Sequence, residues 1–170
     1  MWDYIYEVFE GYPAEMRIIQ KIIKIGISVK IEYDEPKLFC DEIEIKPNSL
    51  ARAYHVDRRV VVNMINKIVS DKKLYPFFSN LNAVSNFENA GPKVGFGVLE
   101  IIPTNASQPG IIAGVMDILA RNGISVRQVI TDDPELIDNP KAIIVTAEAV
   151  AGNILSQIKL VNGVNGVVLL

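Results

Sequence analysis

The sequence predicts an α+β protein in two parts. A helix-turn-helix unit with a β-hairpin covers residues 1–90, and a βαββαβ unit covers residues 91–170. Three observations carry this reading. Apolar residues recur at helical spacing up to about Leu74, except between 27 and 46, where they alternate. From Gly95 onward, strand-like and helix-like segments follow one another in the order βαββαβ. Between the two patterns, residues 75–94 turn rich in Asn, Ser, Pro and Gly.

Residues 1–10 read as a short helix with Trp2, Ile5, Tyr6 and Phe9 on one face, broken by Gly11-Tyr12-Pro13. Trp2, Tyr4, Tyr6, Phe9 and Tyr12 have the spacing of a packing surface rather than of a base-stacking platform. AEMRIIQKIIKIG follows, with Met16, Ile18, Ile19, Ile22, Ile23 and Ile25 at amphipathic spacing and Gly26 as C-terminal cap. ISVKIEY and KLFCDEIEI then alternate about a turn at Asp34-Glu35-Pro36, which predicts a hairpin. Six acids against one lysine between Glu32 and Glu44 make a solvated face.

Ser49 to Ile68 has the spacing of two crossed helices joined by a tight turn. Asn48 or Ser49 is placed to cap the first, and Asp57 the second, which is expected to run to about Leu74. His55 stands where such turns usually hold glycine, in a left-handed conformation that His tolerates better than most residues. Leu50, Ala51, Tyr54, Val56, Val61, Ile65 and Ile68 fall where the pair would share a core. The outward positions of the second helix are Arg58, Arg59, Val62, Asn63, Asn66 and Lys67, followed by Lys72 and Lys73. Arg and Asn are the side chains that pair bidentately with guanine and adenine edges. Seven bases against two acids between Lys46 and Lys73 make a local charge of +5 on a chain of net charge −3. The opposing reading is a helical pair used for packing or dimerisation, its charges merely solvated.

In the second half, GFGVLEII (95–102), ISVRQVITDD (124–133), AIIVTAEAV and VNGVVLL read as strands. PGIIAGVMDILARNG (109–123) and GNILSQIKL read as helices. The polar, acid-free loop Thr104 to Gln108 enters a helix whose first turn is expected to hold Pro109 and Gly110. Free N–H groups and the positive end of the helix dipole there suit a small carboxylate. An ammonium on the same ligand would need Asn105, Ser107, Asp132, Asp133 or backbone carbonyls. Pro and Gly also serve helix entry and close packing with no ligand at all. Asn122-Gly123 reads first as a helix C-cap, and Arg127 pairs with Glu100 across the sheet, reaches a ligand at a subunit interface, or is simply solvated.

Composition narrows the function. At 170 residues and 49% hydrophobic, the chain can bury one good core or two small ones. No apolar run reaches the roughly 18 residues of a membrane span, and the acidic, aromatic start is unlike a signal peptide. A single cysteine, Cys40, and a single histidine leave no metal cluster, no catalytic triad and no disulfide, so a cytoplasmic protein without cofactor or catalytic residues is expected. The glycines of GPKVGFG precede a strand rather than follow one, so they form no dinucleotide fingerprint.

The ferredoxin-like βαββαβ order with Ser107-Gln108-Pro109-Gly110-Ile111 and Asn122-Gly123-Ile124 resembles the ACT domain, a small regulatory module of amino-acid metabolism. With SLARAYHVDRRVV upstream, residues 45–170 resemble archaeal regulators of amino-acid metabolism in which a helix-turn-helix half precedes an ACT half. The resemblance implies a homodimer whose ACT domains pair side by side into one eight-stranded sheet, with an amino acid or related metabolite at the interface. The implied ligand residues are Asn105, Ser107, Gln108, Pro109, Gly110 and Ile111 from one copy, facing Asn122, Ile124, Ser125 and Val126. The family usually has an acid two residues before the Pro-Gly pair, where this chain has Ser107. The expected function is a ligand-responsive transcriptional regulator that binds DNA through the helix-turn-helix. The alternative is a regulatory subunit that docks on a biosynthetic enzyme and binds no DNA.

Overall fold

Helix boundaries in the first half follow from a few backbone-permissive residues. Pro13 lacks the N–H that the first helical position leaves unpaired, so helix α2 (Pro13–Ile25) begins there. It ends at Gly26, whose φ of +81° is open to glycine and strained for other residues. A Cβ on Gly26 would also run into the Asn82 backbone. Before it lies α1 (Trp2–Val8), and after it three strands, β1 (Ser28–Glu32), β2 (Glu35–Cys40) and β3 (Ile43–Ile45). These form an antiparallel sheet in the order β1-β2-β3, one strand more than the expected hairpin. Tyr33 and Asp34 both take positive φ and make a two-residue turn, so Glu35 and Pro36 lie in β2, not in the turn. Asp41, also at positive φ, breaks what reads in sequence as one returning strand.

Helices α3 (Pro47–Ala53), α4 (Arg58–Ser70) and α5 (Leu74–Phe78) complete this part. Lys46 occupies the N-cap of α3 with Pro47 behind it, and neither Asn48 nor Ser49 caps it. α4 stops at Ser70, short of Leu74, because the Asp71 carboxylate accepts the N–H groups of Lys73 and Leu74 and starts α5. Val61, Met64, Ile65 and Ile68 stack along one face of α4 at i, i+3, i+4 and i+7. They join Ile5, Phe9, Ile18, Ile19, Ile22, Val29, Leu38, Leu74 and Phe78 in one core. Burying each such side chain contributes about 1.5–3 kcal/mol relative to exposure.

The computed structural model describes residues Met1–Leu170 and is α+β, with seven helices and two antiparallel sheets. It divides between Val84 and Ser85 into two units, ahead of the sequence boundary near 90. Residues 85–94 belong to the second unit, where Gln128 holds Ser85 and Phe87, Lys141 reaches Glu88, and Gly91 lies against Val98. The Gln128 Nε2 donates to the Ser85 carbonyl and its Oε1 accepts the Phe87 N–H at 2.9 Å.

The second unit contains β4 (Gly97–Pro103), α6 (Ile111–Arg121), β5 (Val126–Thr131), β6 (Ala142–Thr146), α7 (Gly152–Ile158) and β7 (Val164–Leu169). The sheet order is β5-β6-β4-β7, antiparallel throughout. Leu99 pairs with Ile144 and Ile101 with Ala142, on the face that packs against Ile111, Val115 and Leu119 of α6 and Ile154 and Ile158 of α7. Val98, Ile143 and Val145 take the other face with Phe96, beneath a 3₁₀ turn at Gly91–Val94. Cover on both faces is why every residue of β6 is buried. Gly97 is required at the start of β4, since a Cβ there would meet the Thr146 hydroxyl and the Glu148 carbonyl.

Candidate functional site

Two places bring chemistry-bearing residues together, one in each unit. The first is the α3–α4 pair. Three residues separate Tyr54, which ends α3, from Arg58, which begins α4, and among them His55 has φ +54°, the left-handed conformation expected from its position. Asp57 caps α4, accepting the Arg59 N–H at 2.7 Å. The Arg59 guanidinium folds back on the same carboxylate at 3.1 Å. That hydrogen bond raises Arg59 above its ordinary value and, with the capping one, holds Asp57 below the usual carboxylate range.

Arg58, Asn63 and Asn66 are exposed, and Val62 is half-buried. Arg58, Val62 and Asn66 lie at i, i+4 and i+8 along one stripe of α4, with Asn63 beside it. Lys67, expected outward, faces the other way. Its ammonium sits 3.0 Å from the Glu15 carboxylate of α2, over the rings of Tyr12 and Phe9. α4 has turned far enough by Lys67 to bring it against α2. Lys73 lies over the Tyr4 ring.

The second place is a cavity of about 150 Å³ at the start of α6. Its walls come from the end of β4, the loop before α6, the first turn of α6, and the facing ends of β5 and β6. Gly110, at φ +94°, is the N-cap of α6, so Pro109 lies outside the helix rather than in its first turn. No side chain caps this end, and the first N–H to be returned to the chain is that of Gly114, to the Gly110 carbonyl at 2.9 Å. The N–H groups of Ile111, Ile112 and Ala113 are those an α-helix leaves unpaired.

The sequence-derived residues divide sharply here. Gln108, Gly110 and Ile111 line the cavity, although the Ile111 side chain is buried in the core. Asn105 is used inside the loop, its Oδ1 accepting the Ser107 N–H at 3.0 Å, while Ser107 and Pro109 are exposed. Asn122, Ile124, Ser125 and Val126 are elsewhere. They lie past the C-terminus of α6, an eleven-residue helix, about 16 Å along its axis from the cavity. Asn122 closes that end through its Nδ2 on the Ile118 carbonyl at 2.8 Å, and the Ile124 side chain is buried. One copy of the chain therefore does not bring the two groups together.

Sequence reasoning misses Thr131, Lys141 and Ala142 of the opposite wall and offers Asp132, beside them, only as a possible acceptor. The Asp132 Oδ2 accepts the Lys141 N–H at 3.3 Å. Lys141 directs its ammonium to Glu100 and, at 3.5 Å, to Glu88. The Glu100 hydrogen bond raises the Lys141 pKa above its ordinary value. Arg127 consequently does not pair with Glu100 but stacks on the Phe96 ring at 4.3 Å. The signal for this wall lay in Asp132-Asp133 after an alternating strand, and only the antiparallel pairing of β5 with β6 brings it beside Lys141.

No family model and no curated protein matches the chain. Among solved structures it is similar to one described as the crystal structure of PH0061, at 13% identity over 93% of this chain and 89% of that one. The TM-score is 0.29, too low for that likeness to bear on fold or function.

Proposed function

We propose that the protein is a ligand-responsive, DNA-binding regulator with a helix-turn-helix in its first unit and a ferredoxin-like, ACT-like sensor in its second. The observation that carries the reading is the α3–α4 pair, with a three-residue turn, a left-handed His55, an Asp57 cap, and Arg58, Asn63 and Asn66 exposed along α4. Arg58 and the two Asn supply bidentate hydrogen bonds to base edges. Arg59 is spent on Asp57 at rest and would leave it for phosphate. The second unit supports the sensor, because its strand order β5-β6-β4-β7 is that of a βαββαβ sandwich and its cavity opens on uncapped N–H groups.

The ligand this cavity suits is a small amino acid or a related carboxylate. Its volume is half the lower end of ordinary drug-sized sites. A carboxylate would take the N–H groups of Ile111, Ile112 and Ala113. Asp132 on the opposite wall would accept the ammonium, in the role that Ser107 lacks. Asn122, Ser125 and Val126 would enter from a second copy. To couple to DNA, the ligand must bind one arrangement of the dimer better than the other, and a difference of about 1–3 kcal/mol is ordinary.

The test is a panel of duplexes and amino acids against the full chain. Arg58→Ala with Asn63→Ala should lower affinity for the preferred duplex about tenfold or more, each bidentate contact accounting for about 1–3 kcal/mol of discrimination. In the same preparation one or a few amino acids should raise the Tm, and Asp132→Ala should remove that rise. Unchanged retention of DNA by the double variant would end the transcriptional reading. A flat response to all twenty amino acids would end the amino-acid reading.

A further inference from the structure

A second groove, of about 250 Å³, lies in the first unit and is lined by Ala14, Arg17, Ile18, Gln20 and Lys21 of α2 with Tyr54 and Val56. Tyr54 and Val56 flank His55 in the turn that joins α3 to α4. The groove therefore joins α2 to the turn that launches α4. Arg17 and Lys21 are one turn apart on the same face of α2, and both are exposed. Neither takes part in an ion pair, nor do Arg52 and Arg58, which bracket the turn in sequence. The acids of the same elements are already neutralised: Glu15 of α2 holds Lys67, and Asp57 of the turn holds Arg59. A positive groove remains, with Gln20 and the Tyr54 hydroxyl as further hydrogen-bond donors.

We infer that this groove seats the phosphate backbone of a nucleic-acid duplex, with Arg17 and Lys21 each neutralising one phosphate. The inference rests on the DNA reading above and adds to it a contact from a helix outside the helix-turn-helix pair. Charge complementarity selects the occupant. Four unpaired cations border the groove or its turn, a guanidinium forks onto phosphate bidentately, and Ala14, Ile18 and Val56 give a floor on which sugar edges can rest. Phosphate contacts of this kind set position and register and carry no sequence information. They would fix α4 against the bases that Arg58, Asn63 and Asn66 read.

The experiment is fluorescence anisotropy of the full chain on a 30-base-pair duplex of mixed sequence, and on its preferred duplex, across a salt titration. Each phosphate contact contributes about 0.9 to the slope of log K against log salt. Arg17→Ala with Lys21→Ala should therefore lower the slope by about two, on both duplexes alike. Between 50 and 200 mM salt the wild type should lose about tenfold more affinity than the variant. Circular dichroism should show both proteins folded, since both side chains are exposed. If the variant does not fold, charge reversal of Lys21 alone to Glu supplies the same reading. A wild type that binds duplex while the variant keeps its slope overturns this inference and leaves the DNA reading standing. A wild type that binds no duplex overturns both, and retention of polyglutamate in its place would assign the groove to an acidic protein.

Discussion

Lys67→Ala separates a structural lysine from a DNA-contacting one. The Lys67 side chain is 27% exposed and its ammonium lies 3.0 Å from Glu15, which is 6% exposed. Removing Lys67 leaves a carboxylate in the packing between α2 and α4 with no partner, a change that costs about 3–5 kcal/mol in buried pairs. Water reaches part of the lysine, so the low end applies, about 3 kcal/mol. Lost contact of the ammonium with the Tyr12 and Phe9 rings adds to this. Replacing both partners by apolar residues of similar volume, Glu15→Leu with Lys67→Met, should return stability to within about 1 kcal/mol of the parent. The assay is urea unfolding followed by tryptophan emission. Trp2 is the sole tryptophan, and it packs on the first unit's core with its ring edge-on to Phe77 at 5.7 Å. The signal thus reports on that unit even if the two unfold separately. A loss below about 1 kcal/mol for Lys67→Ala, or a double variant as damaged as the sum of its singles, would refute the reasoning.

Two further consequences concern the same unit. Burial disfavours the charged form of Asp71, yet the N–H groups of Leu74 and Lys73 and the Tyr4 hydroxyl outweigh it, and the carboxyl titrates below its ordinary value. The stability it confers is fully present above the unfolded-state pKa of about 4 and is lost as pH falls through the lower folded value. Asp71→Asn should flatten the fall in urea midpoint between pH 5 and 3, and an unchanged slope would discount the interaction. The Ser28 hydroxyl is buried with no hydrogen-bond partner, so Ser28→Ala should raise stability by about 1 kcal/mol, and a loss of stability in the same urea assay would show that a partner exists.

Much of the first unit was legible because its signals are local. Gly26 ends a helix, Asp57 begins one, and His55 takes the left-handed turn, each within a few residues of the pattern that announces it. The missed third strand has a local cause of a kind that sequence hides. Asp41 adopts φ +57° within the run KLFCDEIEI, and the only mark it leaves in the sequence is the pair of adjacent acids Asp41-Glu42, with no Gly, Pro or Asn to announce a turn. Lys67 was misplaced for a different reason. A lysine on a helix reads as exposed, and only the approach of α2 supplies a buried acid and two rings that reverse the assignment.

The cavity at the start of α6 was legible only along the chain, never across it. Ser107 to Ile111 announced the mouth of α6, whereas the opposite wall at Thr131, Asp132 and Lys141 is made by pairing between β5 and β6. The same geometry decides what kind of site this is. α6 is a rigid element with the loop at one end and Asn122 at the other, so no motion of one copy brings Ser125 to Gln108 without unfolding the helix. If both segments touch one ligand, as the proposed function requires, the ligand binds a pair of chains. Its apparent affinity must then rise with protein concentration, and it must in turn tighten the pair by the same free energy. Sensing and self-association are in that case one equilibrium, and a variant that weakens dimerisation away from the cavity weakens ligand binding without touching a single lining residue.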